Sequence, residues 1–166
     1  LAWALAQACS GARKVTAEFR EFLLAATGLA ALGTIADVVD LVGENRVLTK
    51  FGLERIKQTR FEGLRAMIRQ SRLEDEKIDS YHVGFVLAPR LNAAGRMGHA
   101  REALKLLTDA SGEDAERIAR FLNTENERRR VTERTILKEA KEMVVEAGYD
   151  GVESRAIVLG REGWHA

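Results

Sequence analysis

The chain has one cysteine, one proline and almost no net charge, and each shortage closes off a class of protein. Cys9 alone builds neither a disulfide framework nor a thiolate metal site, and it points to a reducing compartment, the cytoplasm. His82, His99 and His165 stand far apart, without the H-x-x-H or H-x₃-H spacing of a metal site. No apolar run approaches the ~18 residues that span a bilayer, and the opening "LAWALAQACSGARK" lacks a basic n-region, so no membrane partner is expected. A nucleophile elbow, a P-loop, a dinucleotide fingerprint and a CxxC pair are all missing. With 26 basic against 25 acidic residues the net charge is +1, so the whole-molecule field is weak and any basic footprint must be local.

What is present describes a globular chain. Its 166 residues, 46% apolar and 31% charged, suit one domain or pieces of two. It starts without Met and mid-pattern, and "RAIVLGREGWHA" reads as a strand and turn that stop, so a piece of a longer protein is expected. Residues 1–9 read as a buried helix, and 16–27 as an amphipathic one with Phe19, Phe22 and Leu23 on one side. In "GLAALGTIADVVDL" (28–41) the Val and Ile content permits a strand, while length and Ala content permit a helix; the helix is the expectation. Two short helices follow, "ENRVLTKFGLERIKQ" and "FEGLRAMIRQSRL". In the second, Phe61, Leu64 and Ile68 mark the inner face beside a stripe of Arg65, Arg69 and Arg72, ordinarily a solvated surface.

From 111 onward the periodicity predicts one helix of about 36 residues, ~54 Å long. Ser111 with Asp114 reads as a capping box, and Gly148 as the residue past the end. Its ends are apolar (Ala115, Ile118 and Leu122, then Leu137, Ala140, Val144 and Ala147). Its middle, "NTENERRRVTER", is polar, as in a connector bridging two packed bodies.

Two places carry chemistry. In "APRLNAAGRM" (88–97), Pro89 fits the first turn of a helix, where its missing N–H costs nothing. Asn92 and Arg96 then share a face at i, i+4, and the small residues between them leave a thin side for a ligand to approach. Arg suits bidentate binding of phosphate or carboxylate. On spacing alone, a tightly packed helix whose Arg closes a salt bridge fits equally. Asp37, set among Ile35, Ala36, Val38 and Val39, must be capped, salt-bridged or metal-bound if buried. A hard ion such as Mg²⁺ or Mn²⁺ would suit it, but one carboxylate does not make a site.

Together, "LAALGTIADVVDLVGENRVLTKFGLERI", "GFVLAPRLNAAGRMGHAREALKLL" and "FLNTENERRRVTE" resemble the RecJ family of single-strand-specific 5′→3′ DNA exonucleases, in the DHH phosphoesterase superfamily. The likeness covers roughly residues 1–147, and "EGWHA" resembles the opening of the family's W-H-x-G-V segment. It implies a mainly α piece of an α/β protein. Residues 1–110 would close the catalytic domain, 111–148 would form the interdomain connector helix, and 149–166 would begin the DHH-associated C-terminal domain with a strand at 155–160.

The resemblance also implies roles. Asp37 becomes a catalytic ligand of the divalent metal centre, Mn²⁺ or Mg²⁺. Asn92 and Arg96 hold the scissile phosphate and the strand, Arg96 as a catalytic clamp, with Arg90 assisting. Asn126, Arg129 and Glu133 match a family N-x-x-R-x-x-x-E pattern, for which DNA contact and interdomain salt bridging both remain open. The family's D-H-H and D-x-D motifs are absent, so this chain by itself is expected to be inert. The parent would hydrolyse single-stranded DNA with metal assistance, in repair or recombination. Two alternatives stand: a DHH phosphoesterase acting on oligoribonucleotides or small nucleotides, and a non-catalytic helical nucleic-acid-binding module, which the count of 19 Arg to 7 Lys would suit. Removal of an upstream sheet would bare apolar surface, and self-association through it is expected.

Overall fold

In the computed structural model, which describes residues 16–96 and 99–164 with Arg96 represented by its backbone, every regular element is helical. They are α1 (Ala17–Ala36), α2 (Gly43–Lys57), α3 (Glu62–Gln70), a π-helical stretch (His82–Leu87) running directly into α4 (Ala88–Arg96), α5 (Ala100–Thr108) and α6 (Gly112–Glu146). The helix expected over residues 1–9 lies outside the described residues. A mainly α architecture is therefore observed.

The segments 16–27 and 28–41, expected as two helices, form one that ends at Ala36. Thr16 opens it, its Oγ1 accepting the Phe19 N–H at 3.2 Å. Gly28 does not break it, because α2 crosses there: a β-carbon on Gly28 would stand 3.4 Å from the Ile56 backbone nitrogen. On the facing helix, a β-carbon on Gly52 would collide with Ala31 and the Thr27 carbonyl oxygen. Two glycines thus set the α1/α2 spacing. Contrary to expectation, α1 is long and apolar enough by length and composition to cross a membrane, at 20 residues and mean hydropathy 1.3. Here Leu23, Gly28, Ala31 and Leu32 are buried, and the helix packs against α2.

The first half of α6 is the spine. Ala115, Ile118, Ala119 and Leu122 are buried on it, and α3, α4 and α5 all pack against this helix. The core continues through Leu64, Met67, Val83, Leu87 and Leu106. α3 and α5 also touch each other, so closely that a β-carbon on Gly63 would overlap the Leu106 carbonyl. Of the expected inner face of α3, Leu64 and Ile68 are buried and Phe61 packs half-buried at its start. The adjoining Arg65, Arg69 and Arg72 are exposed, as expected, with Arg69 paired to Glu116 of α6 and Arg65 donating to the Arg60 carbonyl at 3.0 Å.

The expected capping box at Ser111 does not form. Ser111 makes no side-chain cap bond, and the Gly112 N–H is taken instead by Glu62 Oε2 at 2.7 Å. Asp114 turns to Lys105 (2.7 Å) and Arg117 (2.7 Å), whose hydrogen bonds hold its carboxyl below the usual range. A carboxylate from another helix satisfies the orphan donor, so the pattern in sequence was right about need and wrong about supplier. At the other end Gly148 does sit past the helix, at φ +68°.

Beyond Asn126 the character of α6 changes. No residue of its second half is buried, and Val131, Leu137 and Val145 are exposed. The tail returns to it through Glu139, whose Oε2 accepts from Trp164 Nε1 (2.9 Å) and Arg161 (3.2 Å). The strand expected at 155–160 is absent among the described residues. An isolated extended segment has no ladder to join, and Val158 there is almost fully exposed.

Glycine substitutions check this packing. Gly63→Ala should destabilise by about 1–3 kcal/mol, the cost of overpacking, whereas Gly33→Ala, which meets open space inside α1, should stabilise by about 0.5–1 kcal/mol. Urea midpoints of the two variants should move in opposite directions; a shared direction would show the α3/α5 contact to be loose.

Candidate functional site

The stretch quoted from 88 onward does not begin a helix. The helical rod starts at Ser80, and Asp79 caps it, its Oδ1 accepting the His82 N–H at 3.0 Å. The same carboxylate lies 2.8 Å from His82 Nδ1, and its bond to the His82 backbone holds it below the usual carboxylate range. Pro89 therefore sits inside the rod and not in its first turn. The preceding π-helical turns, in which Ala88 N–H donates to Val83 O five residues back, accommodate a residue with no donor of its own.

This register divides the polar residues of α4 between two faces. Arg90 turns toward α6: its Nε donates to Asn123 Oδ1 at 3.0 Å and its Nη1 to the Val86 carbonyl at 2.6 Å. Burial pushes its guanidinium down from the ordinary value. Asn92 points the other way and is exposed. With Leu91 and Gly95 it lines an open groove of about 540 Å³ whose far wall is Ala100, Ala103, Leu104 and Leu107 of α5. Arg96 lies one turn further along, at i+4. Ala93 and Ala94, on the buried side, let α4 sit close on the core.

Asp37 caps the C-terminal end of α1, its backbone N–H bonded to the Gly33 carbonyl at 3.0 Å. The sequence suggested a carboxylate hidden among apolar neighbours; in the structure it is exposed. The helix simply stops before its neighbours can enclose it. A negative side chain at the negative pole of a helix is unfavourable unless a cation meets it. The last turn of α1 is close to the π-helical stretch: a β-carbon on Gly84 would stand 3.7 Å from Ile35 Cγ2, and α1 also touches α4. Asp37 and the Asn92–Arg96 helix thus belong to elements packed on one another. Among the described residues, however, no three His, Cys, Asp or Glu side chains gather as a metal site.

The third predicted group lies elsewhere, on the waist of α6. Asn126 is only 3% exposed, beside the equally buried Glu125. Arg129 pairs with Glu133 and reaches Asn126 Oδ1 at 3.5 Å, while its Nε is buried without a partner. Glu125 is met by Arg128 at 2.8 Å. Arg90 and Asn123 form a polar seam where α4 lies on α6, whereas the side-chain bonds of Glu125, Asn126 and Arg129 stay within α6. Asn123 was not singled out in the sequence, although its position three residues before Asn126 places it near the same inward face. His99 sets its ring edge-on to Phe121 at 5.2 Å, which helps seat the start of α5 against α6.

No family model matches the chain. It is, however, 40% identical over 137 residues to the single-stranded-DNA-specific exonuclease RecJ of Bacillus subtilis, a match covering 82% of this chain and 17% of that protein. RecJ of Thermus thermophilus is 40% identical over 110 residues, covering 66% of this chain and 16% of the relative. Crystal structures of Thermus thermophilus RecJ with Mg²⁺ and with Mn²⁺ superpose with TM-score 0.65 at 39% identity, over 70% of this chain and 18% and 17% of theirs. The chain thus spans about a sixth of the length of the curated relatives it matches. By sequence and by fold alike, this chain belongs to the RecJ family.

Proposed function

We propose that the chain supplies one part of the active site of a single-stranded-DNA-specific 5′→3′ exonuclease: a metal-ligating carboxylate at Asp37 and a phosphate clamp at Asn92 and Arg96. The observation that carries this reading is the packing of α1 against the rod that bears Asn92, with both Asp37 and Asn92 exposed. The names of the relatives, and the Mg²⁺ and Mn²⁺ of the related structures, agree with it.

Asp37 fits a hard divalent cation, being an oxygen donor at a helix pole that favours positive charge. When bound, such an ion activates water and offsets charge developing on the phosphate. The described residues contribute this single ligand, so the remaining donors must come from chain beyond them. Arg96 brings a positive charge to the clamp, and Asn92 can donate to a phosphate oxygen. Arg90 acts on the strand at one remove, by fixing α4 on α6 through Asn123, while Asn126 and Arg129 brace the waist of α6 itself. The setting proposed is DNA repair or recombination in the cytoplasm.

We further propose that copies of the chain associate through Val38, Val42, Val47 and Phe51, which form an exposed apolar face around the end of α1 and along α2. Sedimentation velocity should show a concentration-dependent shift; a monomer at every concentration would dismiss it.

For the clamp, fluorescence anisotropy with a labelled single-stranded oligonucleotide gives the test. Arg96→Ala should weaken binding roughly tenfold and flatten the salt dependence by about one unit of slope. Asn92→Ala should weaken it less. Unchanged affinity and slope in Arg96→Ala would remove Arg96 from the clamp.

A further inference from the structure

The rod that begins at Ser80 has a buried side and an open one. Val83, Leu87, Ala88, Ala93 and Ala94 are buried on it. The open side carries Tyr81, 61% exposed, then Phe85, 73% exposed, then Asn92, and the i, i+4 spacing continues it to Arg96. Two exposed aromatic rings and the proposed clamp therefore share one side of one rod. At 1.5 Å per residue, Phe85 and Arg96 lie at most ~16 Å apart along it, a distance that a strand covers in a few nucleotides.

The two rings form a unit. Their centroids lie 5.1 Å apart, with the planes 30° from parallel, in the offset stacking that aromatic pairs prefer. The π-helical backbone produces this. Its bonds reach five residues back instead of four, so each turn is wider and residues four apart come nearly into line. Such turns are frequent at functional sites.

Open ring faces set this pair apart. Phe22, also at the surface, has Arg60 over its ring at 5.5 Å, whereas Tyr81 and Phe85, at their exposures, keep ring face open to water. Composition separates the pair from the face at Val38, Val42, Val47 and Phe51, which is mostly aliphatic and suited to close packing on another apolar surface. Here the apolar surface is purely aromatic, one ring carries a hydroxyl, and the same side continues into an amide and a guanidinium. A planar ligand with an apolar face, a polar edge and an attached phosphate matches that order of groups. Unpaired bases of a single strand are such a ligand; bases in a duplex are not, because their faces are already stacked on one another.

We propose that Tyr81 and Phe85 form a stacking platform for unpaired bases of the strand whose backbone Asn92 and Arg96 hold. The inference deepens the reading of this chain as part of a single-strand exonuclease and rests on it.

Fluorescence anisotropy with labelled oligothymidylate and with an abasic strand of equal length tests it, because the abasic strand keeps the phosphates and lacks the bases. The unmodified chain should bind oligothymidylate more tightly. Tyr81→Leu and Phe85→Leu keep apolar bulk and remove the ring. Each should weaken oligothymidylate binding roughly tenfold and leave abasic binding unchanged. Their salt dependence should keep its slope, since stacking releases no phosphate counterions, whereas Arg96→Ala flattens it. Both side chains are exposed, so thermal melts of the variants should match that of the unmodified chain. Equal, measurable affinity of the unmodified chain for the two strands, or full oligothymidylate affinity in both leucine variants, would overturn the platform and leave the clamp standing. Leucine variants that lose affinity for both strands alike would show the rings to act by packing, and would overturn it too. If the chain binds neither strand, the single-strand reading falls and the platform with it.

Discussion

A strip of four residues on one helix governs the placement of nearly everything else. Ala115, Ile118, Ala119 and Leu122 are buried along the first half of α6, and α3, α4 and α5 pack against that helix. Small residues alternate with large ones, so neighbouring helices approach closely on the alanines and interlock around Ile118 and Leu122. The aliphatic strip alone would leave α4 free to rotate about its axis. The polar seam removes that freedom: Arg90, half-buried, donates from Nε to Asn123 and from Nη1 to the Val86 carbonyl. With Arg90 turned inward, Asn92 must turn outward, because the two lie about 200° apart around a helix at 3.6 residues per turn.

The seam also marks where α6 stops being core. Buried residues end at Asn126, and the waist is held by pairs within the helix, Arg129 with Glu133 and Arg128 with Glu125. Although Glu125 itself is buried, both pairs run within α6, so they maintain the helix without fixing it to a neighbour. A helix of 35 residues, anchored over its first half, carries its second half outward by about 30 Å. That geometry suits a connector, and the Arg90–Asn123 bond ties its anchored half to the helix bearing Asn92.

Much of this was legible in the sequence where the signal was periodic. α6 appears within a residue at each end, and Gly148 falls past its terminus as expected. Most of the misses share a cause, a neighbour distant in sequence, and only the one at Pro89 is local. Gly28 reads as a break until α2 is seen crossing there. Pro89 reads as a helix start until the π-helical turns before it absorb its missing donor. Ser111 reads as the cap, but Glu62, fifty residues earlier, takes the bond. At 155–160 the composition of a strand is present and its partner is not. For the site, residue types and spacings indicated Asp37, Asn92 and Arg96, but not that Arg90 would face away from Asn92, nor that Asp37 would end a helix in the open.

The central claim is that this chain contributes a carboxylate and a phosphate clamp to a larger site and is insufficient alone. The most direct measurement is hydrolysis of a 5′-phosphorylated, 3′-labelled single-stranded oligonucleotide with Mn²⁺, by the chain alone and after addition of a polypeptide carrying the D-H-H and D-x-D motifs of the family. The account predicts no cleavage by the chain alone, and 5′-end cleavage in the mixture that disappears with Asp37→Ala. Cleavage by the chain alone, or a mixture indifferent to Asp37→Ala, would contradict it.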